Sequence, residues 1–393
     1  MDFPLASRPG VGLDSEYLKV LRSEPLVAAT LPMGRDVLLV TRHADVRTVL
    51  ADDRFSREAW ANGTLWARRT ETLALVTSDP PTHGYRRRAV QSWFTKRKAD
   101  AARPAIKDFA ERLVDGLEIA GPPGDLVSAF AMPFAYGIIC DMLGTPPADL
   151  DALLPWATAM MSAGRHTKDE IAAAHEGMLA YYTRQLAIRR EAIAAGMPGD
   201  DLLTALVVAG DLSDPEIIIM GLGLMTAGGD TTSNFLMSCV LELLSRPELV
   251  AQVRADPARI AGVVDECLRY IWFGATGGQP HVVMSEVELA GTCLSPGQVV
   301  IPMVEVANRD PSVFDAPDEF RPGRDTNPHM GWGYGRHMCL GAAHARIELE
   351  VAIETLLRRL DGLAIDVDVE GLRWRDRMFI RGLWSLPVTW KKG

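Results

Sequence analysis

The chain has 393 residues, 48% hydrophobic and 23% charged, a balance that supports a sizeable core and excludes disordered, collagen-like and coiled-coil architectures. At about 150 residues per domain, this length allows one large domain or two to three smaller ones. The formal charge of −10 argues against a nucleic-acid binder that works by bulk attraction to phosphates.

The start, Met1-Asp2-Phe3-Pro4-Leu5, lacks the basic residues and apolar run of a secretion signal. The longest apolar run, Ile217 to Gly229, falls short of the ~20 residues of a membrane span. A cytoplasmic protein without membrane attachment is expected. No repeat, low-complexity tract or long linker divides the sequence, so a single domain over residues 1–393 is expected. Cys140, Cys239, Cys267, Cys293 and Cys339 are scattered and lack the Cys-x-x-Cys spacing of zinc or redox sites.

In chain order, a strand is predicted at Val37 to Val40, then helices at Ala105 to Leu117, Leu126 to Met142 and Ile171 to Ala195. These are separated by Gly121-Pro122-Pro123, Pro146-Pro147 and Gly196-Met197-Pro198-Gly199. Ser213-Asp214-Pro215-Glu216 is a helix-opening signature, and the helix runs on to Ser245-Arg246-Pro247, about 32 residues or 48 Å. Near its centre stands Ala227-Gly228-Gly229-Asp230-Thr231-Thr232, where two glycines cost about 1 kcal/mol each in helix propensity. Something other than helicity selected them. Later strands are predicted at Val282 to Leu289, at Val299 to Ile301 after the Pro296-Gly297 turn, and at Met378 to Trp390. The fold class is mainly α with minor β, not a doubly wound parallel sheet.

The densest special sequence is Gly331-Trp332-Gly333-Tyr334-Gly335-Arg336-His337-Met338-Cys339-Leu340-Gly341, followed by a helical run to Leu360. A glycine-laced loop delivers a cysteine to a helix start, where partial positive charge and free N–H groups favour the thiolate. Such a thiolate binds metal or attacks a substrate. The surrounding glycines imply close approach of something flat to the backbone. The other four cysteines read as small core hydrophobes.

From Gly333 to Gly341 the loop resembles the cytochrome P450 family, the heme-thiolate monooxygenases, whose pattern is Phe-Gly-x-Gly-x-His-x-Cys-x-Gly; Trp332 replaces the Phe. The resemblance extends over nearly the whole chain through Asp79-Pro80-Pro81-Thr82-His83 with Arg87-Arg88, Glu266-Cys267-Leu268-Arg269, Ala307-Asn308-Arg309-Asp310, Phe320-Arg321-Pro322-Gly323-Arg324, and Arg381-Gly382-Leu383 with Leu386-Pro387-Val388. It implies a single-domain P450 fold with the long central helix crossing the heme and small sheets to one side.

The resemblance further implies heme b with Cys339 as axial ligand and Gly333, Gly341 and Ala227 around it. His83, Arg87 and His337 fall at propionate-binding positions. His281 stands where the family commonly has Arg, which predicts pH-sensitive anchoring. Glu266, Arg269 and Arg324 form a structural ion-pair triad. Asp230 and Thr231 fall at the positions that deliver protons to bound dioxygen, with the glycines loosening the helix to admit water. Electrons come from NAD(P)H through a ferredoxin reductase and a ferredoxin, the latter docking on Arg86, Arg88, Lys96, Arg97, Lys98, Arg336 and Arg346.

Pocket positions by the same resemblance are Trp60, Leu65, Trp66, Gly223, Thr226, Gly277, Gly278, Gln279, Phe379 and Ile380. The missing side chains at Gly223, Gly274, Gly277 and Gly278 and the aromatic faces of Trp60, Trp66 and Phe379 predict a roomy aromatic site. The expected small-molecule substrate is a medium-to-large, mostly neutral aromatic natural product of secondary metabolism. An indole-bearing cyclodipeptide is one candidate, with Gln279 as amide partner. Hydroxylation and oxidative C–C or C–N coupling of two aromatic molecules are both open outcomes. A non-turnover heme-binding protein or gas sensor, and a cofactorless helical protein with a structural cysteine, are readings of other classes.

Overall fold

The helix opened by Ser213 is present as Asp214–Leu244 in the computed structural model, which describes residues 1, 3–4, 10–32, 34–63 and 74–392. Its start is a capping box: Glu216 accepts from the Ser213 backbone N–H at 3.0 Å and from its hydroxyl at 2.8 Å, with Pro215 in the first turn. The second Glu216 oxygen takes an ion pair from buried Arg86 at 3.1 Å. Ser245 caps the far end. Contacts divide the chain into two compact units, residues 72–245 with 341–393, and residues 1–71 with 246–340.

In the first of these, the long helix is buried on nearly every side from Phe235 to Leu243. It packs against Met132–Leu143, Lys168–Ala194 and Ala342–Arg359, and the last also packs on Lys96–Ala120. The Gly228-Gly229 pair does not loosen the helix, which continues through it unbroken. Its reason is the crossing with Met132–Leu143: a Cβ on Gly229 would lie 2.3 Å from the Tyr136 ring, and one on Gly228 would lie 2.9 Å from Ile139. Side-chain volume was removed here for the neighbouring helix. The helix predicted at 126–142 begins as a π turn, Val127–Ala131, before Met132–Leu143 continues it to left-handed Gly144. The terminal strand predicted at 378–390 shrinks to Pro387–Thr389, between Ala364–Ile365 and Gly124–Asp125. Upstream, Arg377 takes a φ of +53°, which ends the extended run and leaves the isolated bridges Trp374↔Leu383 and Ser162↔Met378.

The other unit is built on a five-stranded sheet. Its strands are β1 (Leu26–Thr30), β2 (Asp36–Val40), β3 (Phe55–Ser56), β4 (His281–Val283) and β5 (Val299–Pro302), in the order β1-β2-β5-β4-β3. Alternation along β2 and β5 sends Leu39 and Ile301 to one core cluster with Trp272, and Val40 and Val300 to another with Val46 and Phe55. The strand predicted at 282–289 is two strands. Val287–Leu289 leaves the sheet to pair with Thr292–Leu294 through a turn in which Ala290 and Gly291 both have positive φ. Among the described residues, no helix is long and apolar enough to cross a membrane.

The crossing predicts opposite outcomes for two glycines of one helix. Gly229→Ala must push on a buried ring and should cost about 1–3 kcal/mol. Gly223→Ala, whose Cβ meets nothing within 4 Å, should be neutral or stabilising by up to about 1 kcal/mol. Urea unfolding of the two variants beside the parent checks this; equal losses would refute the packing account.

Candidate active site

The cysteine loop belongs to the unit built on the five-stranded sheet. Gly333 and Gly335 have φ of +74° and +70°, and a Cβ on Gly335 would fall 2.5 Å from the Leu50 carbonyl oxygen. The loop closes on itself through Gly333 N–H to Met330 O at 2.7 Å and Cys339 N–H to Trp332 O at 2.7 Å. It is braced from outside: Arg47 lies over the Tyr334 ring at 4.5 Å and donates to its hydroxyl, while Arg336 donates to Ala51 O and pairs with Asp53. The Cys339 side chain is exposed at the end of this brace. Met330 N–H donates to Asn308 Oδ1 at 2.8 Å, and Asn308 Nδ2 donates to Leu268 O, which fixes the loop to the helix Ile260–Tyr270.

That helix carries the triad. Arg269 is fully buried, and its five N–H donors reach Glu266 twice, at 2.7 and 2.8 Å, and the carbonyls of Asn308, Pro317 and Glu319. Arg324 Nε lies 3.1 Å from Glu266 Oε1, as the sequence pattern required. A buried pair with every donor satisfied fixes three segments together, and losing one partner would strand a charge.

His281, on β4, is corrected by its surroundings. Arg57 Nε–H donates to His281 Nε2 at 3.2 Å, so Nδ1 carries the proton and donates to Gln279 O at 2.8 Å. Burial, then the Arg57 charge, push its pKa down to about 3, so the ring is neutral throughout the physiological range and is not a pH-dependent cation. The permanent charge here is that of Arg57. The glycines nearby are corrected too: a Cβ on Gly274 would meet Gly277 O at 2.8 Å, on Gly277 Met303 Sδ at 2.8 Å, and on Gly278 Pro302 O at 2.5 Å. They allow tight backbone packing and do not widen a pocket. Trp60 packs on the Leu39 cluster under the Arg35 guanidinium, and Gln279 is exposed. His337 is half-buried in the cysteine loop. Leu65 and Trp66 lie outside the described residues.

In the helical unit, His83 and Arg87 stand four residues apart on one face of Thr82–Gln91, His83 buried and Arg87 half-buried. Arg86 points elsewhere, into Glu216 and the Ser78 hydroxyl at 2.9 Å, so it is no part of a surface patch. Arg336, braced as above, is equally committed. Arg88, Lys96, Arg97 and Lys98 remain exposed. Gly341 caps Ala342–Arg359.

Along the long helix, Ala227 is exposed and Thr231, one turn on, is partly exposed, its hydroxyl donating back to Ala227 O at 2.5 Å. Thr226 is buried and likewise donates to Leu222 O. Asp230 turns to another side and is fully buried, with Arg375 Nη1 at 3.0 Å from Oδ1. Burial raises the Asp230 pKa above the usual carboxylate value, and the Arg375 charge opposes that rise. A cavity of about 380 Å³ reaches this pair. Phe379 is exposed and Ile380 half-buried in the segment that also carries Arg375. No motif marked Arg57, Tyr136 or Arg375; only the alternation Arg373-Trp374-Arg375-Asp376-Arg377 hinted that one face of that segment was polar and inward.

An exposed thiol on a rigid glycine-turned loop is a soft ligand for iron, and His83 and Arg87 are donors suited to two carboxylates, so the residues present fit a heme. The Cytochrome P450 family model matches residues 135–369. The chain belongs to the cytochrome P450 family. The mycinamicin IV hydroxylase/epoxidase of Micromonospora griseorubida is 36% identical over 394 residues, spanning 99% of this chain and 98% of that protein. Among solved structures, HinD with NMFT and NO has a TM-score of 0.91 at 37% identity, covering 99% of each chain. Cytochrome P450mel 107F1, described as having biaryl coupling reactivity, has a TM-score of 0.88 at 36% identity, covering 96% of each. This P450 is therefore an oxidoreductase of the monooxygenase type that uses heme b, dioxygen and electrons from NAD(P)H through redox partners.

The His281 setting predicts a pH effect on stability. The unfolded chain binds a proton near 6.5 and the folded chain only near 3, so stability falls as pH drops through this window. Between pH 7 and 5 the loss from this group is about 2 kcal/mol. Urea unfolding of His281→Gln should lack that part of the acid slope; an unchanged slope would show that His281 titrates freely.

Proposed function

We propose that Cys339 ligates the heme iron as thiolate, that His83, Arg87 and His337 hold the propionates, and that Asp230 and Thr231 move protons to bound dioxygen. The observation that carries the ligand assignment is the exposed Cys339 thiol on a loop closed by its own hydrogen bonds and braced by Arg47 and Arg336. Bound through a thiolate, heme activates dioxygen for cleavage of the O–O bond. Thr231 offers a hydroxyl on the same partly exposed stripe as Ala227, and Asp230 is the neighbouring acid that refills it. An acid beside an alcohol is what turnover requires, which supports an enzyme over a gas sensor.

The substrate is a medium-to-large, mostly neutral aromatic product of secondary metabolism, an indole-bearing cyclodipeptide being the named candidate. Supporting this are the exposed Phe379 ring, the open space beside Gly223, and Thr226, whose hydroxyl is already committed to the backbone. Hydroxylation is the first reading of outcome, as in the mycinamicin relative. Oxidative C–C or C–N coupling is the second, favoured by likeness to the P450 with biaryl coupling reactivity. The electron donor is an acidic ferredoxin on Arg88, Lys96, Arg97, Lys98 and half-buried Arg346, with Arg86 and Arg336 removed from the expected patch.

The reduced protein with carbon monoxide should show the strongly red-shifted Soret band of a thiolate ligand, and Cys339→His should abolish it; a neutral-ligand band in fresh parent protein would overturn the assignment. A high-spin shift with indole cyclodipeptides but not with fatty acids or terpenes supports the substrate class, and the reverse overturns it. Thr231→Ala should lower the fraction of NAD(P)H electrons recovered in product by about tenfold or more, with hydrogen peroxide making up the difference. Charge reversal at Lys96 and Lys98 should raise the KM for ferredoxin and flatten its salt dependence without moving kcat.

A further inference from the structure

The neutral His281 ring has one donor and one acceptor, and both are committed. Nδ1–H donates to Gln279 O at 2.8 Å, and Nε2 accepts from Arg57 Nε–H at 3.2 Å. Burial and the Arg57 charge together oppose protonation of the ring. His281 therefore offers a carboxylate neither a charge nor a donor, although its position is one expected to anchor a propionate. The sheet shows where a substitute stands. β3 and β4 run antiparallel with Phe55 opposite Val283 and Ser56 opposite Val282, so the next register position sets Arg57 opposite His281. The cation missing from one strand is carried by its cross-strand neighbour.

Arg57 is held at both ends. Its backbone follows directly on β3, and Ser56 Oγ accepts from Ala59 N–H at 2.8 Å to cap the short helix Arg57–Asn62. Its guanidinium is held by Nε on an imidazole that is itself fixed through Gln279. A planar guanidinium held by one edge presents the fork of its two Nη nitrogens in a set direction, and that fork matches a carboxylate. Arg57 is half-buried and His281 is 2% exposed, so the charge here is screened less than one on the open surface. Arg57, His281, His337 and Cys339 all belong to the unit of residues 1–71 with 246–340. A buried histidine that carries no charge but aims an arginine is a strut for that arginine.

We propose that Arg57 binds a heme propionate through its Nη nitrogens, and that His281 is a positioning residue that aims it. This rests on the heme binding proposed above. Anchoring at this place then depends on a group that stays charged at every working pH. Positions 57 and 281 act as one element that needs a guanidinium at one strand and a neutral partner on the other. His281→Arg alone sets two like charges opposite each other, which is unfavourable across a strand pair. Combined with Arg57→Ala, the same substitution returns a single cation to the same place.

The test follows heme release from ferric, heme-loaded protein to excess apomyoglobin, together with the resonance Raman bending band of the propionates. Arg57→Ala should release native heme about tenfold or more faster than the parent and should shift the Raman band. With heme dimethyl ester, whose propionates carry no charge, parent and Arg57→Ala should release at one rate; where the ester does not load, the Raman band decides. His281→Arg should also release native heme faster than the parent, and the double variant Arg57→Ala with His281→Arg should recover most of the loss and the parent band. Equal release of native heme by parent and Arg57→Ala, an unmoved band, or a difference that survives on the ester overturns the proposal. A double variant no slower than Arg57→Ala overturns the pairing of the two positions. Should Arg57→Ala fail to fold, Arg57→Lys, which keeps the charge without the fork, must release native heme faster than the parent and shift the band, and unchanged values overturn the proposal. The carbon monoxide band reports the thiolate separately: its absence in the parent strikes the Cys339 assignment, whereas an intact band with release indifferent to Arg57 strikes the role of Arg57.

Discussion

The close crossing of two helices fixes the helical unit. Tyr136 lies against Gly229 and Ile139 against Gly228, so the long helix approaches Met132–Leu143 at a distance only hydrogen at Cα permits. That contact sets the rotation of the long helix about its axis, and the rotation decides the rest. It turns Ala227 and Thr231 to the partly exposed stripe and Asp230 inward to Arg375. Two glycines that cost helix propensity thus assign neighbouring side chains to different environments.

The second theme is fixed charge. At four buried places a permanent guanidinium stands beside an ionisable group: Arg269 and Arg324 with Glu266, Arg86 with Glu216, Arg57 with His281, Arg375 with Asp230. The consequences differ with geometry. Glu266 receives a bidentate partner whose remaining donors all find carbonyls, and the group serves as masonry. Asp230 instead has Arg375 at 3.0 Å and a cavity behind it. His281 is simply silenced.

How much of this was legible in the sequence follows from range. Ser213, Pro215 and Glu216 announce a helix start within four residues, and the observed helix begins at Asp214. The glycines around Cys339 announce a turned loop, and two of them have positive φ. Glu266 and Arg269 share a helical face by spacing alone. What escaped depends on pairs far apart in the chain: Arg375 for Asp230, Arg57 for His281, Pro302 beneath Gly278, none of which leaves a periodic trace. The same blindness misread Gly274, Gly277 and Gly278 as empty space, because a glycine that makes room for a ligand and one that makes room for backbone look alike until the neighbours are known.

The bracing of the cysteine loop bears on how this scaffold diversifies. The struts described for the Cys339 loop, Arg47, Arg336 and Asn308, come from residues 1–71 and 246–340. Gly223, Thr226, Phe379 and Ile380 belong to the other unit. On the proposed roles, mutations at these four positions reshape what is recognised without passing through the network that fixes the sulfur. On those roles, what is recognised can drift at these positions while the reactive loop keeps its bracing.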